Sequence, residues 1–235
     1  IYEEVYMKKL VIIGAGGLAR EVLQYIIDIN RHIVSVSKNS PDKLEEIFDI
    51  VGFLDDDNEK SGMVYRGVRV FGSIEQIFET NGFSLKSNLY AICAIANPKA
   101  KEHVVRRFLQ EKLQFVNIIH PTAYVGETVS LGTGIIIGPN CVLTSDICIE
   151  DHVCINPMCG IGHGTGIGKF STLYWNVCVG GDVTIGSSTE IGTGAFIKQG
   201  TAIEDNCIVG AGAVVLKNVF QGCTVVGVPA RELIK

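Results

Sequence analysis

Ile149-Glu150-Asp151-His152-Val153-Cys154-Ile155-Asn156-Pro157-Met158-Cys159-Gly160-Ile161-Gly162-His163-Gly164-Thr165-Gly166-Ile167 carries an isoleucine at every sixth position. Extended both ways, the same register selects Ile119, Val125, Leu131, Ile137, Leu143 and, downstream, Leu173, Val179, Ile185, Ile191, Ile197, Ile203, Val209 and Val215. No member of the series is anything but Ile, Leu or Val. The residue after the aliphatic is often glycine, as at 126, 132, 138, 162, 168, 180, 186, 192 and 210. The residue four after it is small or β-branched, as at Thr165, Ser171, Val177, Thr189, Ala195 and Thr201. A period of six is neither the 3.6 of a helix nor the 2 of a strand. It fits a chain that turns a corner every six residues, so that three segments close one triangular coil. The aliphatic fills the inside of the prism, the second inward position must be small because the lumen is narrow, and the glycine is expected to relieve the corner. Repeats of this kind set the fold before any single motif does. The reading is a parallel β-helix of roughly five to six coils stacked at the strand-pairing distance.

Composition agrees. Hydrophobic residues make up 47% and charged residues 19%, with 27 glycines and only 6 prolines in 235 residues. A net charge of -5 offers no basic face for nucleic acid. Near the start, Leu10 to Ile13 is too short an apolar run to cross a membrane. Met7 is read as the natural beginning of the chain. The eight cysteines form no C-x-x-C pair, which points to reduced thiols and a cytoplasmic protein rather than a zinc site or a disulfide framework. Cys141, Cys159 and Cys207 fall in the small inward slot and read as packing residues.

The first half of the chain has a different grammar. Lys8 to Ile13 reads as a buried strand, Gly14-Ala15-Gly16-Gly17-Leu18-Ala19 as a turn, and Arg20 to Ile29 as a helix. G-x-G-x-x-G/A between strand and helix lets a backbone approach a phosphate at a helix N-terminus. The bland alternative is tight strand–helix packing. A second strand, Ile50 to Leu54, ends in Asp55-Asp56-Asp57, where a carboxylate often faces a ribose or base. A solvated turn is the other reading. Ser35 to Asp42 reads as an insertion loop. A strand at 68–71, a helix at 73–79, a strand at 89–94, a helix at 98–112 and a strand at 115–118 complete a half-size doubly wound α/β domain. The expected boundaries are 7–115 for this small Rossmann-like domain and 116–235 for the β-helix.

These patterns resemble the sialic-acid O-acetyltransferase and nucleotide-sugar N-acetyltransferase family of hexapeptide-repeat acyltransferases. The resemblance is carried by Gly-Ala-Gly-Gly-x-Ala-Arg-Glu-Val at 14–22, Val-Gly-Phe-Leu-Asp-Asp-Asp at 51–57 and Gly-Ser-Ile-Glu at 72–75. Ile-Ile-His-Pro-Thr-Ala at 118–123, the repeats, and the closing Val226-Gly227-Val228-Pro229-Ala230-Arg231 carry the rest. It implies a left-handed coil, a nucleotide sugar in the small domain, acetyl-CoA as co-substrate on the β-helix, and a homotrimer with sites between subunits.

Acyl transfer from a thioester needs a base, an oxyanion donor and alignment. Of the five histidines, His163 points outward between Gly162 and Gly164, and the resemblance places the family's catalytic histidine there, as general base. His152 is read as a surface group, His120 as a helix cap, and His32 and His103 as solvated. The acceptor is expected at Gly14, Gly16, Gly17, Asp55, Asp56 and Asn156, although Asn156 also reads as a turn residue. The acyl-CoA is expected along Thr172, Gly180, Gly181, Gly192, Gly194, Gly210 and Gly212. Trp175, at an outward corner, could stack on an adenine or support an oligomer. Three positions depart from the family pattern. Gly164 stands where an acid orients the imidazole, Thr172 where a histidine meets the donor, and Leu18 where the glycine loop carries histidine. A nicotinamide-dependent oxidoreductase, a zinc enzyme on the same helix, and a non-catalytic or differently specific repeat protein are the rival readings. The sugar and its nucleotide are not encoded in any local motif.

Overall fold

The computed structural model describes residues 7–37, 47–73, 89–110 and 113–233. The chain divides into two compact units, residues 1–95 with 105–121, and residues 96–104 with 122–235.

In the first unit, β1 (Met7–Ile13) leads into α1 (Gly17–Ser37), then β2 (Ile47–Leu54), a hairpin of β3 (Val64–Tyr65) and β4 (Val68–Arg69), β5 (Leu89–Cys93) and β6 (Gln114–Phe115); α2 (Pro98–Gln110), between β5 and β6, is divided, with 98–104 in the second unit and 105–110 in the first. β2, β1, β5 and β6 form a parallel sheet in that order. Both faces of its centre are buried, which is why β1 reads as a continuous apolar run: Leu10, Val11 and Ile12 are fully buried, as are Phe53, Leu54, Ala91 and Ile92. On α1, Ala19, Val22, Leu23 and Ile26 repeat at helical spacing and are buried. α1 runs further than expected, so Ser35 to Ser37 belong to the helix; the rest of the anticipated loop, like most of the helix at 73–79, lies outside the described residues. α2 begins as its sequence dictates. Asn97 caps it by accepting a hydrogen bond from Ala100 N, and Pro98 fills the first helical position, where no donor is lost. No helix among the described residues is long and apolar enough to cross a membrane.

The second unit is a left-handed parallel β-helix. Its strands up to Val215 are two residues long and pair with the strand 18 residues on; the last parallel pairing, Ile208 with Thr224 of the three-residue strand Thr224–Val226, is 16 residues on. One face stacks Tyr124, Val142, Gly160, Cys178, Phe196 and Val214. A second stacks Ser130, Cys148, Gly166, Thr184 and Ala202. A third stacks Ile136, Cys154, Thr172, Glu190, Ile208 and Thr224. From Ile137 onward every sixth-position aliphatic is buried, and so are the second inward residues, Cys141, Cys159 and Cys207 among them. The inward hydroxyls find main-chain acceptors in the next coil: Thr165 donates to Gly180 O, Ser171 to Gly186 O and Thr189 to Glu204 O.

The corners are built differently from the sequence expectation. The glycine after each aliphatic does not take the left-handed conformation; that falls two residues later, at every sixth position from Gly134 to Gly212, including Asn140, Asp146, His152, Asn176 and Asp182. Asn, Asp and Gly are the residues that tolerate it best. The glycine after the aliphatic serves coil stacking instead. A Cβ on Gly162 would lie 2.6 Å from the main chain of Gly180 and Gly181.

Candidate functional site

In the first unit, the turn between β1 and α1 is held from beneath. Gly14 N donates to Leu54 O at 2.7 Å, and Ala15 N donates to Asp55 Oδ2 at 2.7 Å. Gly14 takes φ 97, with Ala94 O 3.1 Å from where a side chain would begin. Gly16 faces open space: no atom lies within 4 Å of a Cβ built there. Gly17 opens α1, whose first turn has no acidic side chain, leaving its free amides to an anion. The aspartates already have partners within the protein. Asp55 is spent on the loop itself, accepting from Ala15 N and Asp57 N and pairing with Lys60 Nζ at 3.2 Å. Asp56 pairs with Arg107 at 3.1 Å. Asp57 accepts from Glu59 N, which, with Lys60, holds its carboxyl below the ordinary value.

In the second unit, His163 stands on a corner with its side chain 58% exposed. The corner position one coil on is Gly181, and a Cβ there would come within 2.6 Å of the imidazole Cε1 and Nε2. The ring thus lies over bare backbone. Its Nδ1 is 3.7 Å from Asp182 Oδ1, and Asp182 Oδ2 accepts from Gln199 Nε2 at 3.3 Å. Asp182 and Gln199 were not anticipated. The signal that finds them is the period: Asp182 lies one coil beyond Gly164, and Gln199 two coils beyond His163.

Other expectations are corrected. Asn156 is buried; its side-chain amide donates to Leu173 O at 2.9 Å, so it braces the coil rather than reaching outward. Thr172 is fully buried, with its hydroxyl donating to Ala96 O at 2.7 Å and accepting from Lys101 Nζ at 3.0 Å, so it offers no side chain to a donor. Lys101, itself buried, also donates to His152 O. It was missed although it shares the apolar stripe of α2 with Val105 and Phe108. His152 is not a surface group. It is buried, stacked on Phe170 at 5.3 Å, and burial pushes its pKa down to about 4. His120 lies 3.6 Å from Asp28 and edge-on to Tyr25, both within α1. His32 and His103 are exposed, as expected. Of the donor glycines, Gly180, Gly192 and Gly210 press against the next turn of chain, Gly181 lies under His163, and Gly194 and Gly212 are corners with open space around them.

Residues 9–108 match the PglD N-terminal domain, and residues 182–217 match the bacterial transferase hexapeptide (six repeats). No curated protein sequence matches the chain. Among solved structures, the acetyltransferase domain of PglB from Neisseria gonorrhoeae is 26% identical, covers 96% of this chain and 100% of its own, and superposes with a TM-score of 0.81. It has also been solved in complex with acetyl coenzyme A. A histidine variant of perosamine N-acetyltransferase from Caulobacter crescentus, in complex with CoA and GDP-perosamine, is 25% identical over 97% of both chains, with a TM-score of 0.82. WeeI from Acinetobacter baumannii is 27% identical over 97% of this chain and 100% of its own, with a TM-score of 0.65. The chain thus joins a segment similar to the PglD N-terminal domain to transferase hexapeptide repeats, and over nearly its whole length it is similar to acetyltransferases of solved structure.

Proposed function

We propose that the protein moves an acetyl group from acetyl-CoA to an amino group of a nucleotide-linked sugar, with His163 as general base. The observation that carries the residue assignment is His163 itself: a solvent-facing imidazole laid over glycine backbone, with a carboxylate beside Nδ1. The reaction is supported by the ligands of the neighbours, which hold CoA with GDP-perosamine or acetyl coenzyme A. The test is CoA release from acetyl-CoA over a panel of nucleotide amino sugars, GDP-perosamine included, with product mass read in parallel. One acetylated acceptor is expected. Absence of CoA release with every acceptor leaves the non-catalytic reading standing.

The turn at Gly14, Gly16 and Gly17 takes the diphosphate of the nucleotide, with Asp55 acting by holding the turn. Gly16→Val can be accommodated without strain on the fold, because nothing lies near its Cβ. Calorimetry with GDP and UDP should show wild-type binding of one of them and at least about a tenfold loss in Gly16→Val, a change of about 1.4 kcal/mol. Equal affinities would remove the phosphate from this turn.

The protein is a trimer. Its prism face of Tyr124, Val142, Cys178 and Phe196 is apolar and open in the single chain, with Tyr124 62% and Phe196 40% exposed. An apolar face of this kind marks an interface, and closed cyclic symmetry covers it. The long donor then lies in a groove beside open corners such as Gly194 and Gly212. Light scattering should give the mass of three chains, and Phe196→Glu should reduce it to one. A wild-type monomer with full activity overturns the arrangement.

A further inference from the structure

We propose that Asp182 is the positioning residue for His163, its carboxylate supplied from the next coil in place of an acid at position 164. The inference rests on the reading of His163 as general base. Gly164 and Asp182 occupy the same corner of successive coils, both left-handed, with φ 66 and 55. A Cβ at position 164 would lie 2.3 Å from Asp182 Oδ1. The glycine is therefore what admits the carboxylate: an acid at 164 and the observed Asp182 conformer exclude each other. The backbone sets the reach, since Asp182 N donates to His163 O at 2.7 Å. The two carboxylate oxygens are divided between neighbours. Oδ1 faces Nδ1 at 3.7 Å, and Oδ2 accepts from Gln199 Nε2. Gly181 leaves room for the ring, since a Cβ there would lie 2.6 Å from its Cε1 and Nε2, and the Asp182 carboxylate lies on the Nδ1 side.

The chemistry follows from which nitrogen is addressed. A carboxylate beside Nδ1 favours the tautomer with the proton on Nδ1 and leaves the Nε2 lone pair free. As the acceptor nitrogen attacks the thioester carbonyl, its N–H proton passes to Nε2. The C–S bond breaks as the tetrahedral intermediate collapses, and the proton ends on the CoA thiol. Asp182 stays ionised and offsets the charge carried briefly by the ring. The 3.7 Å separation is an ion-pair distance that a small ring rotation closes to a hydrogen bond when the acceptor is bound.

Two readouts test this. The first needs no substrate: two-bond 15N–1H correlation spectra of the imidazoles, with the His163 signals identified by their loss in His163→Ala. In wild type the neutral ring should carry its proton on Nδ1, and in Asp182→Asn the population should move toward Nε2. The second is turnover with acetyl-CoA and the panel acceptor that wild type acetylates. Asp182→Asn should lower kcat by about 10- to 100-fold, part of what a positioned base contributes, with KM for acetyl-CoA unchanged. Gly164→Asp combined with Asp182→Gly should restore most of kcat, because both corners accept Asp and Gly and the acid returns from the adjacent residue. A purely structural role for Asp182 would move neither the tautomer nor the rescue. If Asp182→Asn keeps wild-type tautomer and kcat while His163→Ala is inactive, the proposal is overturned and the general base stands. If His163→Ala itself retains turnover, the general-base reading falls, and this role with it.

Discussion

His163→Ala is expected to lower kcat by about 10² or more and to leave KM for acetyl-CoA nearly unchanged. A positioned general base typically contributes that factor, which corresponds to about 2.7 kcal/mol of barrier. The side chain is more than half exposed, and its ring rests on Gly181 rather than in a packed interior. Removing it opens no cavity, so the folded state should be untouched and the loss can be read as chemistry. A lowered kcat with an unchanged KM says that the imidazole supplies an interaction made only in the transition state. The measurement is steady-state kinetics on a variant whose circular dichroism and melting temperature match wild type. Full turnover in such a variant would remove His163 from the mechanism.

Leu173→Ala should cost about 2–5 kcal/mol of stability, the range for truncating a fully buried leucine where the surroundings cannot collapse. Leu173 is fully buried and stacks between Ile155 and Ile191 of the adjoining coils. Those coils cannot close over the gap. Asn156 N donates to Leu173 O and Tyr174 N to Ile191 O, each at the ordinary spacing of a ladder. The vacancy therefore stays open inside a column where every contact is with the coil before and the coil after. Thr184→Ala, at an exposed outward position, should lie within about 0.5 kcal/mol of wild type. Urea denaturation of the two variants gives the difference directly. A loss below about 1 kcal/mol for Leu173→Ala would mean that the prism can shrink locally.

The sequence made the fold legible because a closed coil repeats its demands. One aliphatic at Ile161, one small residue at Thr165 and a stacking glycine at Gly162 recur until the pattern leaves no other geometry. The α/β unit was legible for a different reason: β1 and β2 are apolar runs punctuated by a glycine turn and by aspartates. What failed were roles that depend on partners. Thr172 and His152 have the spacing of outward residues, yet both are buried, and the hydroxyl of one and the carbonyl of the other receive bonds from Lys101, more than 50 residues earlier. No local pattern announces that a lysine on a distant helix covers them. Asn156 looks like a ligand residue by its chemistry, but its amide is used within its own coil stack. Asp55 sits at the strand tip as its sequence position implies, but the amide it accepts from belongs to the turn 40 residues earlier, which no local pattern announces. Asp182 was missed because attention followed neighbours in sequence, whereas in this unit the neighbours of a residue include those 18 positions away.

That constant offset also governs how the chain reaches its structure. Strand pairs separated by 18 residues in a chain of 235 give a relative separation of about 0.08, in the range of helical bundles rather than β-sandwiches. A coil needs only its immediate predecessor to pair with, so no distant segments must find one another before any contact forms. The unit can begin at any well-packed pair of coils and lengthen in both directions, as a zipper does. Amide exchange should accordingly be slowest in the middle coils around Ile155 to Ile191 and fastest at the two ends.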